Sequence, residues 1–332
     1  MENKCFDRKR NYSLDFLKGI AAIFVVFIHA IFPDIFGKYI AEIGCFAVPI
    51  FFLTSGFFNA SASREKTKKS IKHIVFLIAI TYSLNVIRIF VANGFSVINT
   101  LVYLKNIVVD IRNIAMWSLL NVTRISGVAW FLFALLYCYI LRYLFYNIFE
   151  KRIIYLVMLL GFVGGVAIKL IFPLLGIGFN GVNNVWFKGL PFFLCGRLLW
   201  EKRDFFARMK YTSILVGTAL IGYMLISIGF YANNGLGYIG MVFLSISLFI
   251  LCIAYPGTEL VKGNKLWGLI CQMGSTYSFF IYIGHPLVMH AFDAVVNVSG
   301  MLLWFRPIIV LVCTVVFASF YYKVKNKIRS MT

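Results

Sequence analysis

SLDFLKGIAAIFVVFIHA, residues 13–30, is the first of a series of apolar stretches that continue towards the end of the chain. The chain has 332 residues, of which 61% are hydrophobic and 13% are charged. A bilayer core of about 30 Å requires roughly 20 apolar residues in each helix, and stretches of that length recur here with short breaks. The composition therefore predicts a membrane protein rather than a soluble globular domain.

The apolar stretches predict an all-α, polytopic membrane protein with about ten transmembrane helices. We expect a single membrane-embedded domain over residues 1–332, because the spans leave no room for a sizeable soluble domain. Residues 94–126 are too polar to span and too apolar for a free linker, so they are expected to lie in the interface on the outer face. The predicted spans are residues 14–33, 40–60, 73–93, 127–148, 153–175, 184–200, 212–231, 236–255, 272–292 and 302–322.

The distribution of lysine and arginine predicts the orientation. These residues concentrate in the N-terminal tail (about residues 1–12), in alternate connections, and in the C-terminal tail (residues 323–332). Cytoplasmic loops of membrane proteins are enriched in lysine and arginine, so both termini are expected in the cytoplasm. The net charge of +20 is divided among these short clusters rather than gathered on one surface, which argues against nucleic-acid binding. The seven cysteines have neither metal-site spacing nor a disulfide framework, and no metal is expected.

Three ionisable residues interrupt the first span: Asp15, Lys18 and His29. Lys18 and His29 are eleven residues apart, so on a helix they share one face at a separation of about 16 Å. Lys18 is expected at the cytoplasmic mouth with Asp15 as its ion-pair partner, and Ser13 as the helix cap. His29 is expected well inside the bilayer, where an imidazole suits a general base. The alternative is a histidine that is simply hydrogen-bonded within the bundle.

Four further side chains are candidate site residues. His285 precedes Pro286, which removes a helical hydrogen bond and exposes backbone carbonyls, so a functional and a purely structural histidine are equally compatible with the sequence. Ser55 offers a hydroxyl, although the small residues around it favour helix packing. Trp130 fits sugar stacking or the interfacial aromatic belt, and Arg88 fits a site or a snorkelling side chain. Three further basic residues lie inside the predicted spans. Lys169 and Lys188 are expected to snorkel to the membrane surface. Arg306 is expected to anchor at the interface or, alternatively, to face a substrate on the outer side.

Four motifs, in order along most of the chain, resemble the acyltransferase-3 family of bacterial integral-membrane acyltransferases. The first is a basic residue, ten intervening residues and a histidine, here Lys18 to His29. The others are VPIFFLTSGFF (48–58), VAWFLFALL (128–136) and YSFFIYIGHPLV (277–288). Arginine is common at the basic position, and the lysine found here lacks arginine's planar fork for phosphate.

The resemblance implies a multi-pass plasma-membrane O-acyltransferase. It would move an acetyl or other short acyl group from a cytoplasmic acyl-CoA to a hydroxyl of a cell-surface polysaccharide or lipid-linked glycan. Acetyl-CoA is then a donor substrate with no bound cofactor, and the partners are the lipid bilayer, the glycan acceptor and envelope-assembly proteins. His29 would deprotonate the acceptor hydroxyl, and Lys18, oriented by Asp15, would bind donor phosphates.

Two other functions are compatible with the same residues. One is a transporter or exporter of a polysaccharide precursor or a small polar solute, because buried cations also suit translocation. The other is a non-catalytic membrane subunit of an envelope-assembly machine, in which Lys18 and His29 would be incidental. Their common helix face argues against the second of these.

Overall fold

The computed structural model describes residues 10–108, 116, 118–119, 127–176, 181–208, 212–232, 235–257, 264–296 and 299–329. Every regular element within these residues is helical, which confirms the all-α prediction for the part of the chain described. The helices are α1 (Tyr12–His29), α2 (Asp34–Asn59), α3 (Arg64–Ala92), α4 (Val97–Val108), α5 (Trp130–Leu144), α6 (Tyr146–Phe149), α7 (Ile153–Leu174), α8 (Leu190–Glu201), α9 (Arg203–Arg208), α10 (Thr212–Tyr231), α11 (Leu236–Ala254), α12 (Lys265–Gln272), α13 (Ser278–Val295) and α14 (Met301–Arg329). A 3-10 turn at Gly44–Phe46 lies within α2, and π-helical turns occupy Ala167–Ile171, Val185–Gly189 and Met273–Tyr277.

A helix lies at each of the ten positions predicted to span a membrane. By length and composition, seven helices among the described residues qualify as membrane spans: α1, α2, α3, α7, α10, α11 and α14. Helix α5 is apolar but has only 15 residues. The chain is therefore a multi-pass membrane protein, while the count of ten spans and the cytoplasmic location of the termini stay predictions.

The first span ends earlier than the apolar pattern suggests. Helix α1 stops at His29 instead of continuing to residue 33. Pro33, in an extended conformation, caps α2 at its N-terminus, and a residue that precedes a proline is disfavoured in helical geometry. The turn between these helices therefore places His29 at a helix end.

Close backbone contacts hold the centre of the bundle together. A Cβ on Gly56 of α2 would lie 1.8 Å from the carbonyl oxygen of Phe193 in α8, and one on Gly196 would lie 2.0 Å from that of Leu53. Neither helix can carry a side chain at its glycine, so α2 and α8 pack backbone to backbone. This packing is the role that small residues commonly have between membrane helices.

Two arginines near the ends of predicted spans are buried in helices. Arg142 of α5 and Arg197 of α8 donate to the two carboxylate oxygens of Glu150, at 2.8 and 2.7 Å. Their side chains are 1% and 6% exposed. Arg142 and Arg197 also donate to the backbone carbonyls of Ala62 and Ala60, respectively. This ion cluster therefore connects helix ends on the side of the bundle where α1 begins.

The predicted interfacial segment, residues 94–126, is described in part. Helix α4 exposes Val97, Ile98, Leu101 and Val102, each at least 52% accessible. Further along, the indole of Trp186 donates to the Leu119 carbonyl at 2.7 Å, which fastens residues 118–119 to the bundle. Asp110, Arg112 and Arg124 lie outside the described residues, and location in the membrane interface stays a prediction.

Candidate functional site

Helix α1 carries Asp15, Lys18 and His29 without a break. Because the helix is regular from Tyr12 to His29, the eleven-residue spacing does place Lys18 and His29 on one face, about 16 Å apart. The predicted cap is wrong, since Asn11 caps the helix by accepting from the Leu14 backbone N–H at 2.9 Å. Ser13 lies two residues beyond the cap position, and its hydroxyl donates to the Tyr255 carbonyl at 2.5 Å.

The ion pair predicted between Asp15 and Lys18 is not formed. Asp15 instead accepts from Nε of Arg10 at 2.6 Å, and the same guanidinium donates to the Ser275 hydroxyl at 2.8 Å. Arg10 precedes the helix, so its planar fork can reach both acceptors, which a lysine one turn along α1 cannot do. The hydrogen bond that Arg10 donates to Asp15 raises the pKa of the Arg10 guanidinium. The charges of Asp15 and Arg10 both act on Lys18, but no described residue forms a hydrogen bond with its ammonium group.

The segment around Ser275 is a π-helical turn packed directly on α1. A Cβ on Gly274 would lie 1.9 Å from the Asp15 carbonyl oxygen, and a Cβ on Gly19 would lie 2.1 Å from that of Ile270. The two glycines therefore let α1 and the α12–α13 segment touch by backbone beside Lys18. Single π-helical turns occur frequently at functional sites, because the extra residue displaces side chains from regular helical positions.

His29 lies against His285, and this contact forms the centre of the candidate site. The ring centroids are 5.1 Å apart and the planes differ by 30°. His285 is fully buried, whereas His29, at the end of α1, is exposed. The first and ninth predicted spans thus bring together two imidazoles separated by 256 positions in the chain.

Hydrogen bonding defines the tautomer of His285. Its Nδ1 atom is 3.0 Å from the Ile281 carbonyl oxygen. A carbonyl oxygen can only accept, so Nδ1 carries the hydrogen, and in the neutral ring Nε2 is left as an acceptor. Nε2 is buried and bonds none of the described residues. His285 thus bonds a backbone carbonyl of its own helix through one nitrogen, and its second nitrogen stays available beside His29.

The other predicted candidates have contacts elsewhere in the bundle. Ser55 lies within hydrogen-bonding reach of the Tyr139 phenol on α5. The Trp130 ring has the Lys188 ammonium 5.9 Å from its centroid. Arg88 lies at the far end of α3, near His290, and its Nε atom is buried without a hydrogen-bond partner among the described residues.

Two further ionisable side chains, those of Lys188 and Glu42, are buried in the structure. Lys188 is 8% exposed, and its ammonium donates to Asn183 at 2.6 Å instead of snorkelling to the surface. Glu42 of α2 is 6% exposed and was not among the predicted candidates. A carboxylate inside an apolar stretch was the available signal, because such residues are costly in a membrane.

No group of three or more histidine, cysteine, aspartate or glutamate side chains within the described ranges is arranged to hold a metal ion. The candidate site has two ends: a cationic end with Arg10, Asp15 and Lys18 where α1 begins, and an imidazole end with His29 and His285 where α1 ends.

Comparison with known proteins gives one match. A sequence model described as an acyltransferase domain, that of the acyltransferase-3 family, matches residues 11–323, nearly the whole chain. No curated protein matches the chain. No solved structure matches it either.

Proposed function

Since the chain belongs to the acyltransferase-3 family and is a membrane acyltransferase, we propose that it transfers an acetyl or other short acyl group from acyl-CoA to a hydroxyl. The proposed acceptor is a cell-surface polysaccharide or a lipid-linked glycan, and acetyl-CoA is the proposed donor. The contact between His29 and His285 is the observation that carries this proposal. The contact supplies a general base, His29, and a neighbouring side chain, His285, that can orient it.

His29 is the proposed general base. An acceptor hydroxyl gives its proton to the exposed imidazole of His29 as its oxygen attacks the thioester carbonyl carbon. The carbon–sulfur bond then breaks, and the CoA thiolate takes the proton back from His29, so that an ester and CoA thiol leave the site. No acyl group need reside on the protein in this sequence of steps.

His285 is the proposed positioning residue. Its Nδ1–H is anchored on Ile281, and its free Nε2 can accept an N–H from His29. Such a bond would direct the other nitrogen of His29 towards the hydroxyl. It would also become charge-assisted once His29 holds the proton, because hydrogen bonds from charged donors are stronger.

Lys18 is the proposed contact for the donor's phosphates, at the other end of α1. Asp15 is engaged by Arg10, so it does not neutralise Lys18 through a direct bond. Arg10 and Lys18 together then present two cations beside one carboxylate. Ser55 is proposed as a hydroxyl near the cavity and Trp130 as a stacking platform for a sugar.

The proposed location is the plasma membrane with both termini in the cytoplasm. The concentration of lysine and arginine on the side of the chain's termini supports this orientation. The cationic end of α1 then faces the cytoplasmic acyl-CoA, and the imidazole end faces the acceptor.

The test uses the full chain in nanodiscs with acetyl-CoA and a mixed envelope-glycan extract. His29→Ala should lower CoA release by about 10²- to 10⁴-fold, the usual contribution of a general base, while acetyl-CoA binding persists. Lys18→Gln should weaken acetyl-CoA binding, whereas Lys38→Gln, which removes an exposed lysine from α2, should not. Failure of the wild type to bind acetyl-CoA would overturn the proposal and restore the transporter alternative.

A further inference from the structure

A further cluster of charged side chains lies at the end of the bundle away from the N-terminus. It comprises Arg88 near the end of α3, His290 and Asp293 near the end of α13, and Arg306 near the start of α14. The charges of Arg88, Asp293 and Arg306 all act on His290, and Arg306 contacts Asp293 directly. Three separate helices thus place their ionisable residues in one region.

The charges of this cluster do not balance. Arg306 donates to both carboxylate oxygens of Asp293, at 2.7 and 2.6 Å, which uses the one carboxylate in the cluster. Arg88 forms no ion pair or hydrogen bond with the described residues, and its Nε is buried. An unpaired guanidinium is costly to cover in a membrane protein. The imbalance favours an anionic group from outside the chain.

The position of the cluster relates it to the histidine pair. His290 and Asp293 follow His285 on the same helix by five and eight residues, which is about 7 to 12 Å along the axis. The cationic end of α1 lies on the other side of His29, about 16 Å away along that helix. An anion at Arg88 therefore belongs to whatever approaches His29 from the side away from Lys18.

We propose that Arg88 and Arg306 bind an anionic group, a carboxylate or a phosphate, carried by the acceptor glycan. This inference rests on the proposed function, whose acceptor class it narrows to acidic glycans. Guanidinium groups suit the purpose because they bind carboxylate and phosphate in a bidentate manner. Asp293 holds Arg306 in position, and the incoming anion replaces one of the two hydrogen bonds between them.

A lipid headgroup has the same chemistry, but the limited exposure of the two arginines favours the glycan. The Arg306 side chain is 18% exposed and is covered by Asp293, and Arg88 has its Nε enclosed. Headgroups in a bilayer meet side chains that project from the surface of a protein. Partly covered side chains at three helix ends suit a group that enters with the acceptor.

The test measures glycan retention, which needs no turnover. Wild-type protein in zwitterionic nanodiscs is immobilised and loaded with an envelope-glycan extract of the source cells. One portion of the extract is untreated, and another is carboxyl-reduced and dephosphorylated. The retained uronic acid, phosphate and total sugar are then assayed. The wild type should retain acidic glycans over their neutralised forms, and added salt should weaken this retention.

Two substitutions in the cluster should act in opposite directions. Arg88→Gln should lower the affinity for acidic glycans by about tenfold or more, as expected for the loss of a charge-assisted contact. Asp293→Asn releases Arg306 and should raise that affinity several-fold, although it breaks the same network. A purely structural cluster would respond to both changes with weaker binding. Lys38→Gln, which removes an exposed positive charge from α2, serves as the matched control and should leave retention unchanged.

Several results would overturn the inference. Equal retention of acidic and neutralised glycans would do so, as would unchanged retention by Arg88→Gln. An Arg88-dependent association that appears with anionic lipid in the nanodisc, and not with glycan, would assign the site to a headgroup instead. Arg88-dependent retention without any release of CoA from acetyl-CoA would support this subsite while refuting the acyl transfer.

Discussion

Replacing His285 with phenylalanine tests whether the two histidines act as one unit. The substitution keeps a buried ring of similar size on α13 but removes both the Nδ1 donor to Ile281 and the free Nε2 acceptor beside His29. His29 itself is unchanged. If His285 positions the base, the chemical step should slow while donor binding is retained.

The size of the effect follows from the state of His29 in the transition state. A hydrogen bond between neutral groups contributes about 0.5–1.5 kcal/mol, and one to a charged group about 1.5–3 kcal/mol. His29 becomes an imidazolium as it takes the proton, so the second range applies to the barrier. At 1.4 kcal/mol for each factor of ten, His285→Phe should lower kcat by about 10- to 150-fold with little change in KM for the donor.

The assay is steady-state CoA release by His285→Phe, His29→Ala and the double variant in nanodiscs. Residues that act as a unit are non-additive, so the double variant should be about as slow as His29→Ala alone. Thr314→Val is the matched control, because Thr314 is buried near Gly284 and its hydroxyl bonds only within its own helix. Multiplicative effects in the double variant, or an unchanged kcat in His285→Phe, would refute the reasoning.

Three further substitutions probe the parts of the fold that hold the site. Gly274→Ala puts a methyl group 1.9 Å from a backbone carbonyl oxygen of α1, so it should destabilise the protein by about 1–3 kcal/mol, the cost of overpacking, and should lower donor affinity. Glu150→Ala leaves Arg142 and Arg197 without their shared carboxylate and should lower the free energy of unfolding by about 3 kcal/mol, seen as an earlier thermal transition. Lys18→Gln should weaken turnover of acetyl-CoA but not of an acetyl thioester that lacks the nucleotide phosphates, since only the former has the group Lys18 is proposed to bind.

Each of these changes has a control in the same chain. Gly268→Ala is also in the α12–α13 segment, but no atom lies within 4 Å of the added methyl group, so its stability should be unchanged or slightly higher. Glu65→Ala removes an exposed carboxylate at the start of α3 and should leave the thermal transition in place apart from a small capping effect. Equal effects of Gly274→Ala and Gly268→Ala, or of Glu150→Ala and Glu65→Ala, would contradict the packing and ion-pair arguments. A Lys18→Gln effect of equal size on both donors would contradict the phosphate contact.

Local periodicity explains what could be predicted from the sequence. The common face of Lys18 and His29 depends only on the regularity of one helix, and α1 is regular over its whole length. The helix positions depend on apolar length, which the bilayer constrains strongly. Both kinds of inference need no knowledge of which helices are neighbours.

The errors and omissions are tertiary. Asp15 had two cations within reach, and the choice of Arg10 over Lys18 depends on Ser275, which is distant in the chain and supplies the second acceptor for the Arg10 guanidinium. His29 and His285 were both candidates, but their contact requires α1 and α13 to be neighbours. Arg142 and Arg197 belong to a buried cluster for the same reason, since Glu150 lies on a different element from each of them.

The arrangement on α1 also bears on why the two ends of the site are separate. Its cationic end is held by a backbone contact with the π-helical turn at Met273–Tyr277, and its imidazole end is held by His285 on the helix that follows that turn. One continuous segment, α12 to α13, thus braces both ends of α1. A shift of that segment along α1 would displace both Ser275, which accepts from Arg10 at the cationic end, and His285 at the imidazole end. The proposed transfer requires this coupling, since an acyl donor held at Lys18 must present its thioester at a fixed distance from the base.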